Sequence, residues 1–383
     1  MRKRKLETHK SKRAGFLYEK ICDLDNIKAA ILNASKKKRR QKNVRRILDN
    51  IDYYAHQIQM MLQNMTYHPS KYVTKLINDG IRQKKRNIAK PRFYPDQCIH
   101  HALIQGIEPV LMKGMYHYCC GSVKGRGDKR IRKAVKKWLK RNPKKSKYVL
   151  KMDVHHFYES IDHDELKKVL AKKIKDKRVL WLCGVIIDSC PKGIPIGNYT
   201  SQWFCNLFLE DLDHKIKAFL GKDYIYVRYI DDMVIIGPNK RKLHQARKMI
   251  EEELQGKKLQ MKGNYQVFRL RRSPFEKHKG RPLDFLGCKF HKDETLTIRK
   301  SILKRIKRKA RRIEWLANHH YISARNAAGM MSYMGRIHQT NSEHLFRDEI
   351  KPRIGSTKRL RRIISDEAKI QRATAGDVAG SAA

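Results

Sequence analysis

Apolar residues recur along this chain at two spacings, and the change from one to the other divides it. In residues 1–66 the spacing is helical: Tyr18, Ile21, Leu24, Ile27 and Ile31, then Val44, Ile47, Leu48, Ile51 and Ile58. Past Tyr67 two short strand-like runs follow, Tyr72-Val73-Thr74 and Arg86-Asn87-Ile88-Ala89, and a helix begins at Ile99 and runs towards Val110. Asp128 can cap a helix whose core face is Ile131, Val135, Trp138 and Leu139. Lys147 to Val154 reads as a strand that ends in Asp153. Asp162 with Glu165 three residues on predicts a capped helix over 163–174. A long apolar helix spans Trp203 to about Leu220.

Two runs rich in β-branched and aromatic residues come next, Tyr224-Ile225-Tyr226-Val227-Arg228 and Met233-Val234-Ile235-Ile236-Gly237. Between them stands Tyr229-Ile230-Asp231-Asp232, so the pattern predicts a β-hairpin with two acids at its tip. A helix over about 242–254 follows, then a strand pair formed by Gln266-Val267-Phe268 and the stretch from Phe285 to Phe290. From Lys300 the chain is helical, with Ile302, Ile306, Ile313 and Leu316 on one face. Lys304, Arg305, Lys307, Arg308, Lys309, Arg311 and Arg312 occupy the other, as in a reader of duplex backbone. The last residues, 373–383, are small and polar and predict a disordered tail.

Charge changes the picture most. The 383 residues carry 88 Lys and Arg against 37 Asp and Glu, a net +51, with 40% apolar residues. The apolar fraction is that of a folded protein. The charge calls for a polyanionic partner, nucleic acid before a membrane surface, because no apolar run approaches the ~20 residues that span a bilayer. The basic N-terminus lacks an apolar signal core, so secretion is not expected and a cytoplasmic location is. None of the eight cysteines forms a CxxC pair, which argues for buried free thiols over zinc. His100 and His101 are adjacent and do not share a helix face, so packing suits them better than metal ligation.

The acids carry the candidate chemistry. Asp153 and Asp231 are 78 positions apart, each at a strand end, and a sheet can bring such ends together. Asp153, Asp231 and Asp232 could then hold two Mg²⁺ ions, with Mn²⁺ as the alternative, roughly 3.5–4 Å apart. Such a site activates a 3′-hydroxyl and holds a triphosphate, work that needs positioning and charge neutralisation. An ordinary Asp-Asp turn would show the same letters. The loop Gly121 to Gly127, with Lys124 and Arg126, suits a triphosphate, and a plain loop is its alternative.

At these residues the chain resembles the reverse transcriptases. Tyr229-Ile230-Asp231-Asp232 looks like their YxDD box and Lys151 to Tyr158 like their first acidic motif. Arg86 to Leu103 and Gly121 to Gly127 resemble the fingers motifs, Phe285-Leu286-Gly287 the primer grip, and Ser332-Tyr333-Met334-Gly335 bacterial thumb sequences. The resemblance implies an α+β right-hand polymerase: a basic helical N-terminal extension (1–66), fingers (67–145 with part of 163–192), a palm with an antiparallel sheet backed by helices (146–298), and a helical thumb (299–372). It implies Asp153, Asp231 and Asp232 as metal ligands helped by the Val154 carbonyl. It places Phe157 and Tyr158 at the nucleotide, Tyr158 as the aromatic gate against a 2′-hydroxyl, and Arg86, Lys304, Lys307, Arg308 and Arg311 on nucleic acid.

One departure is informative. Where most bacterial members have QGxxxSP, this chain has Ile196-Gly197-Asn198-Tyr199-Thr200-Ser201-Gln202. That form resembles the reverse transcriptases of diversity-generating retroelements, which copy a template RNA with errors at adenines. It implies Ile196, Gly197 and Gln202 as nucleotide contacts, with template RNA, the RNA–cDNA duplex, dNTPs and a small accessory protein oligomer as partners. An antiphage reverse transcriptase and a basic RNA-binding scaffold are the alternatives.

Overall fold

The computed structural model describes residues 13–79, 84–276 and 279–380, without the side chains of 78–79, 84–86, 369 and 371–380. Four helices open it: α1 (Tyr18–Cys22), α2 (Leu24–Ser35), α3 (Lys42–Asp49) and α4 (Ile51–Gln63). Their periodic residues Tyr18, Ile21, Ile27, Ile31, Val44, Ile47 and Ile58 are buried. Strands β1 (Val73–Asp79) and β2 (Lys84–Lys90) pair antiparallel, and α5 (Cys98–Lys113) and α6 (Asp128–Arg141) follow. Then come β3 (Tyr148–Asp153), α7 (Phe157–Ser160), α8 (His163–Lys173), α9 (Lys177–Ile187), α10 (Tyr199–Phe208) and α11 (Glu210–Leu220). The hairpin is β4 (Ile225–Tyr229) and β5 (Asp232–Gly237), followed by α12 (Lys240–Gln255) and β6 (Gln266–Arg269). Three short strands, β7 (Leu283–Phe285), β8 (Cys288–Phe290) and β9 (Leu296–Ile298), precede α13 (Lys300–His319), α14 (Ala324–His338), α15 (Lys351–Ile354) and α16 (Thr357–Gly380).

The fold is α+β with antiparallel sheets. The central sheet has the strand order β4-β5-β3-β6, which places the hairpin beside the strand that ends in Asp153. The chain divides into two units: residues up to Arg132 with Val149–Val267, and Lys133–Tyr148 with the residues from Phe268 on. In the first, the hairpin strands bury Tyr226, Val227, Val234, Ile235 and Ile236, while α10 buries Trp203, Phe204 and Phe208. In the second, Ile302, Ile306, Ala310 and Ile313 of α13 form one core with Ala327, Met330, Met334 and Ile337 of α14.

Three expectations need correction. The long helix from Trp203 is two helices, broken at Leu209, whose φ of −101° and ψ of 8° leave the helical range. The stretch Phe285 to Phe290 does not pair with Gln266 to Phe268. It folds on itself, because Leu286 (φ 50°) and Gly287 (φ 77°) make the two-residue turn that joins β7 to β8. The tail expected from 373 is helical backbone as far as Gly380, in a stretch rich in alanine, the strongest helix former.

The capping at Asp162 is as expected, its carboxylate accepting from the Glu165 N–H at 3.1 Å. All eight cysteines are free, with only Cys190 not fully buried.

Candidate active site

The hairpin register pairs Tyr229 with Asp232, so Ile230 and Asp231 alone make the turn. Ile230 has φ +59°, a left-handed backbone that a β-branched residue adopts at a cost of about 1–3 kcal/mol. The surroundings hold it there. Arg228 Nη1 donates to the Ile230 carbonyl at 2.8 Å. Gly121 lies directly against Ile230: a Cβ on that glycine would come within 2.3 Å of Ile230 Cγ1 and 2.7 Å of its backbone N. Asn206 ties the two together, donating to the Gly121 carbonyl at 2.7 Å. The tip is therefore fixed by residues that sit under it.

Arg228 anchors this arrangement. It is fully buried and donates through Nε (2.7 Å) and Nη2 (2.6 Å) to the two carboxylate oxygens of Asp213, also fully buried. Tyr226 adds its hydroxyl to Asp213 Oδ1 at 2.7 Å. Burial draws the Arg228 proton affinity down, but the Asp213 charge outweighs it and holds the guanidinium well above its ordinary value. Nothing in the sequence marks this pair: Arg228 is one cation at the end of a strand-like run, and Asp213 is one of several charged residues in Glu210-Asp211-Leu212-Asp213-His214-Lys215.

Asp231 at the tip is not balanced in that way. Asp231 is pushed up to about 7, first by burial and then by the charges of Asp153 and Asp232. Asp153 and Asp231 therefore stand close together, at the junction that the strand order creates. Asp153 Oδ1 is buried with no hydrogen-bond partner. Asp153 Oδ2 is ion-paired to Lys262, whose backbone N–H also donates to the Asp153 carbonyl at 2.9 Å. Lys262 was not singled out in the sequence, 109 positions from its partner.

The donor set fits a hard divalent cation: clustered carboxylates, one with a raised proton affinity and one with an orphaned buried oxygen. Among the described residues, however, no three His, Cys, Asp or Glu side chains already stand together as a ready-made metal cluster. The Lys262 ammonium fills one side of Asp153 instead. Val154 bridges to Met261, and the flanking bonds, Lys262 N–H to the Asp153 carbonyl and His155 N–H to the Gln260 carbonyl, do not use the Val154 carbonyl.

Residues 82–290 match the protein family described as reverse transcriptase (RNA-dependent DNA polymerase). The chain belongs to that family. Solved structures similar to it include two apo telomerases from Candida tropicalis. One is truncated from its C-terminal domain (14% identity, 62% of this chain and 58% of that one, TM-score 0.46). The other gives 13% identity over 82% of this chain and 62% of that one, TM-score 0.49. A third is telomerase from Candida albicans in complex with a TWJ fragment of telomeric RNA (11%, 78% and 64%, TM-score 0.48). The chain thus spans about three fifths of the length of these telomerases.

Other residues with an expected role at the reverse transcriptase site fall as follows. Tyr158 is half-buried, its hydroxyl pushed far up by burial and then by Cys205 and Asp231, so it lies beside the acids. Phe157 is buried. The loop that carries Ile196 and Gly197 reaches both Tyr158 and β2: Ile194 N–H donates to the Tyr158 carbonyl at 2.8 Å, and Ala89 N–H donates to the Ile196 carbonyl at 2.9 Å. Gly197, at φ +134°, has no room for a side chain, since a Cβ would come 2.1 Å from the Ala89 carbonyl oxygen. Gln202 is half-buried on α10.

Lys124 is exposed, whereas Arg126 donates to its own loop, at the Tyr116 carbonyl (2.8 Å) and the Cys119 carbonyl (3.4 Å). On α13, Lys304, Arg308 and Arg311 are exposed and Lys307 pairs with Glu349 at 2.6 Å. Arg86 lies in β2, and its side chain falls outside the described residues.

Proposed function

We propose that this chain is an RNA-directed DNA polymerase that makes cDNA from a template RNA with errors at template adenines, as the polymerase of a diversity-generating retroelement. The observation that carries the polymerase reading is Asp231 at the hairpin tip, raised by burial and by the neighbouring charges of Asp153 and Asp232, in a chain of the reverse transcriptase family. Reverse transcriptases use divalent metal ions. Here these carboxylates and the Val154 carbonyl would hold Mg²⁺, which would supply charge neutralisation for the triphosphate and a lowered pKa for the attacking 3′-hydroxyl. The chain's own residues position: Arg228 and Gly121 hold the turn, and Tyr158 stands beside Asp231 where a bulky ring would crowd a 2′-hydroxyl. Phe157, Lys124, Arg126, Gly197 and Gln202 belong to the nucleotide's surroundings. Arg86, Lys304, Lys307, Arg308 and Arg311 serve the nucleic acid.

Ile196 supports the error-prone reading. Its side chain has no polar atom to bond a nucleotide, and its carbonyl accepts from the Ala89 N–H. Base-pair geometry would be constrained less than with glutamine there. The partners are a template RNA, its duplex with cDNA, dNTPs and a small accessory protein oligomer, in the cytoplasm of a bacterium or phage-infected cell. No helix among the described residues is long and apolar enough to cross a membrane.

Primer extension on a defined RNA template tests both parts. Asp231→Asn removes a metal-binding charge worth several kcal/mol in the transition state, so extension falls about 10³-fold. Wild-type extension no faster than that of this variant would sink the polymerase reading. Ile196→Gln lowers adenine misincorporation severalfold while keeping extension; an unchanged error spectrum would remove the retroelement reading and leave the polymerase.

A further inference from the structure

Within the second unit lies a cavity of about 700 Å³. Six of its lining residues are cationic, Lys144, Lys147, Arg269, Arg272, Lys279 and Lys292, against the acids Glu276 and Asp293. Both acids are engaged in local turns: Glu276 accepts from the Arg272 backbone N–H at 3.1 Å and Asp293 from the Thr295 N–H at 3.0 Å. Lys292 is half-buried and the other five cations are exposed. None of the six has an ion-pair partner among the described residues. Burial, followed by the charges of Arg269, Lys147 and Arg272, holds the Lys292 ammonium below its ordinary value, so these cations do converge.

The scaffold beneath them is built. Leu270 N–H donates to the Lys147 carbonyl at 2.9 Å, and Lys292 and Asp293 N–H donate to the Arg271 and Arg272 carbonyls, each at 2.9 Å. Three chain segments, around 147, 270 and 292, therefore lie side by side. Two neighbouring-strand spacings cover about 10 Å. That is about the axial rise of three nucleotides in one strand. Tyr148 contributes a ring to the same lining. Exposed cations distributed over three segments suit an anion that passes across the opening. A pocket for a free nucleotide would bury most of its ligand.

We propose that this cavity binds the sugar-phosphate backbone of a nucleic-acid strand, at a site that shares no residue with the carboxylate corner. The strand lies across Lys147, Arg269, Arg272 and Lys292, with Tyr148 offered to one base. The site holds nucleic acid whether or not the chain is copying it, so it does not depend on the polymerase reading.

The test is binding of a fluorescent 20-nucleotide RNA, and of DNA of the same sequence, to the full chain across a salt series. The variant is K147A/R269A/R272A. The control is K42A/R45A/R46A, which removes the same charge from the exposed face of α3. The cavity variant should lose about tenfold or more in affinity near 150 mM salt, and the slope of log K against log salt should fall by about 2. The control should lose less than threefold, and K147R/R269K/R272K should bind like wild type. A backbone reader accepts RNA and DNA within a few-fold of one another.

In the wild-type chain, 5-iodouracil placed along the RNA should photo-crosslink to Tyr148, a readout that no folding defect can imitate. Equal losses in variant and control, or absence of the Tyr148 crosslink, would overturn the proposal. Displacement of the RNA by tripolyphosphate at equal phosphate concentration would assign the site to a free polyphosphate and overturn it too.

Discussion

Two acids sit within one hairpin's reach and are treated in opposite ways. Asp213 is fully buried, yet it receives two bonds from Arg228 and one from Tyr226. Asp231, half-buried at the turn, meets two further carboxylates and is pushed up to about 7. The first acid is neutralised inside the protein, and what it does is hold the turn through Arg228 and the Ile230 carbonyl. The second is left for something the protein does not itself supply. The difference separates structural from functional charge: a buried charge with a complete set of partners shapes the fold, and one without them marks the chemistry.

The largest effect should come from breaking the balanced side. Arg228→Met leaves the Asp213 charge buried without its counter-ion, only the Tyr226 hydroxyl still donating to it, which costs about 3–5 kcal/mol of stability. Replacing both, in Arg228→Met/Asp213→Leu, should recover most of that loss, because an apolar pair of similar volume is close to neutral in such a place. Thermal unfolding of the two variants decides it. A single variant that melts within a degree or two of wild type would show that the pair contributes little, and the contrast with Asp231 would fail.

On the unbalanced side the same kind of change should act in the opposite direction. Asp231 has a folded-state proton affinity raised above that of the unfolded chain. Below about pH 4 both states are protonated and the group contributes nothing. Between about 4 and 7 the unfolded chain ionises while the folded one keeps its proton, so stability falls as pH rises, and the penalty is complete above 7. In EDTA at pH 8, Asp231→Asn should therefore be more stable than wild type by about 1–3 kcal/mol, a gain that shrinks by pH 5. Urea unfolding at the two pH values measures it. A variant less stable than wild type at pH 8 would mean that Asp231 is satisfied as it stands.

How much of this contrast could be read beforehand depends on how local each signal is. The hairpin was legible because two strand-forming runs enclose a four-residue gap, and Asp153 because an apolar run stops at it. The Asp162 cap was legible for the same reason, its partner being three residues away. Arg228 and Asp213 were not, since Arg228 reads as one cation in an apolar strand and Asp213 as one acid among the charged residues of α11, and only their hydrogen bonds across the fold show that they meet. Gly121 read as part of a phosphate loop, whereas its place under Ile230 is a contact across more than a hundred residues. The cavity of the second unit gathers residues from 143 to 293, and no window of sequence holds that pattern. The break at Leu209 was hidden because apolar periodicity continues through it.

The smallest expected effect sharpens the comparison most. Lys262 gives Asp153 a partial version of what Arg228 gives Asp213, one ion pair where the other acid has a bidentate one, and it leaves Asp153 Oδ1 unpartnered. Its side chain and that of Asp153 are 26% and 28% exposed, so the pair is worth far less than a fully buried one. A cation that binds Asp153 must displace this ammonium or share the carboxylate with it. Lys262→Met removes the competitor and should tighten Mn²⁺ binding to the nucleic-acid-free protein by about three- to tenfold, that is, by roughly 1 kcal/mol. Titration followed by Mn²⁺ electron paramagnetic resonance reads the free ion directly, without any turnover. Weaker binding in the variant would instead make Lys262 a residue that orients Asp153 for the ion, and the two acids would then be more alike than the contrast between them requires.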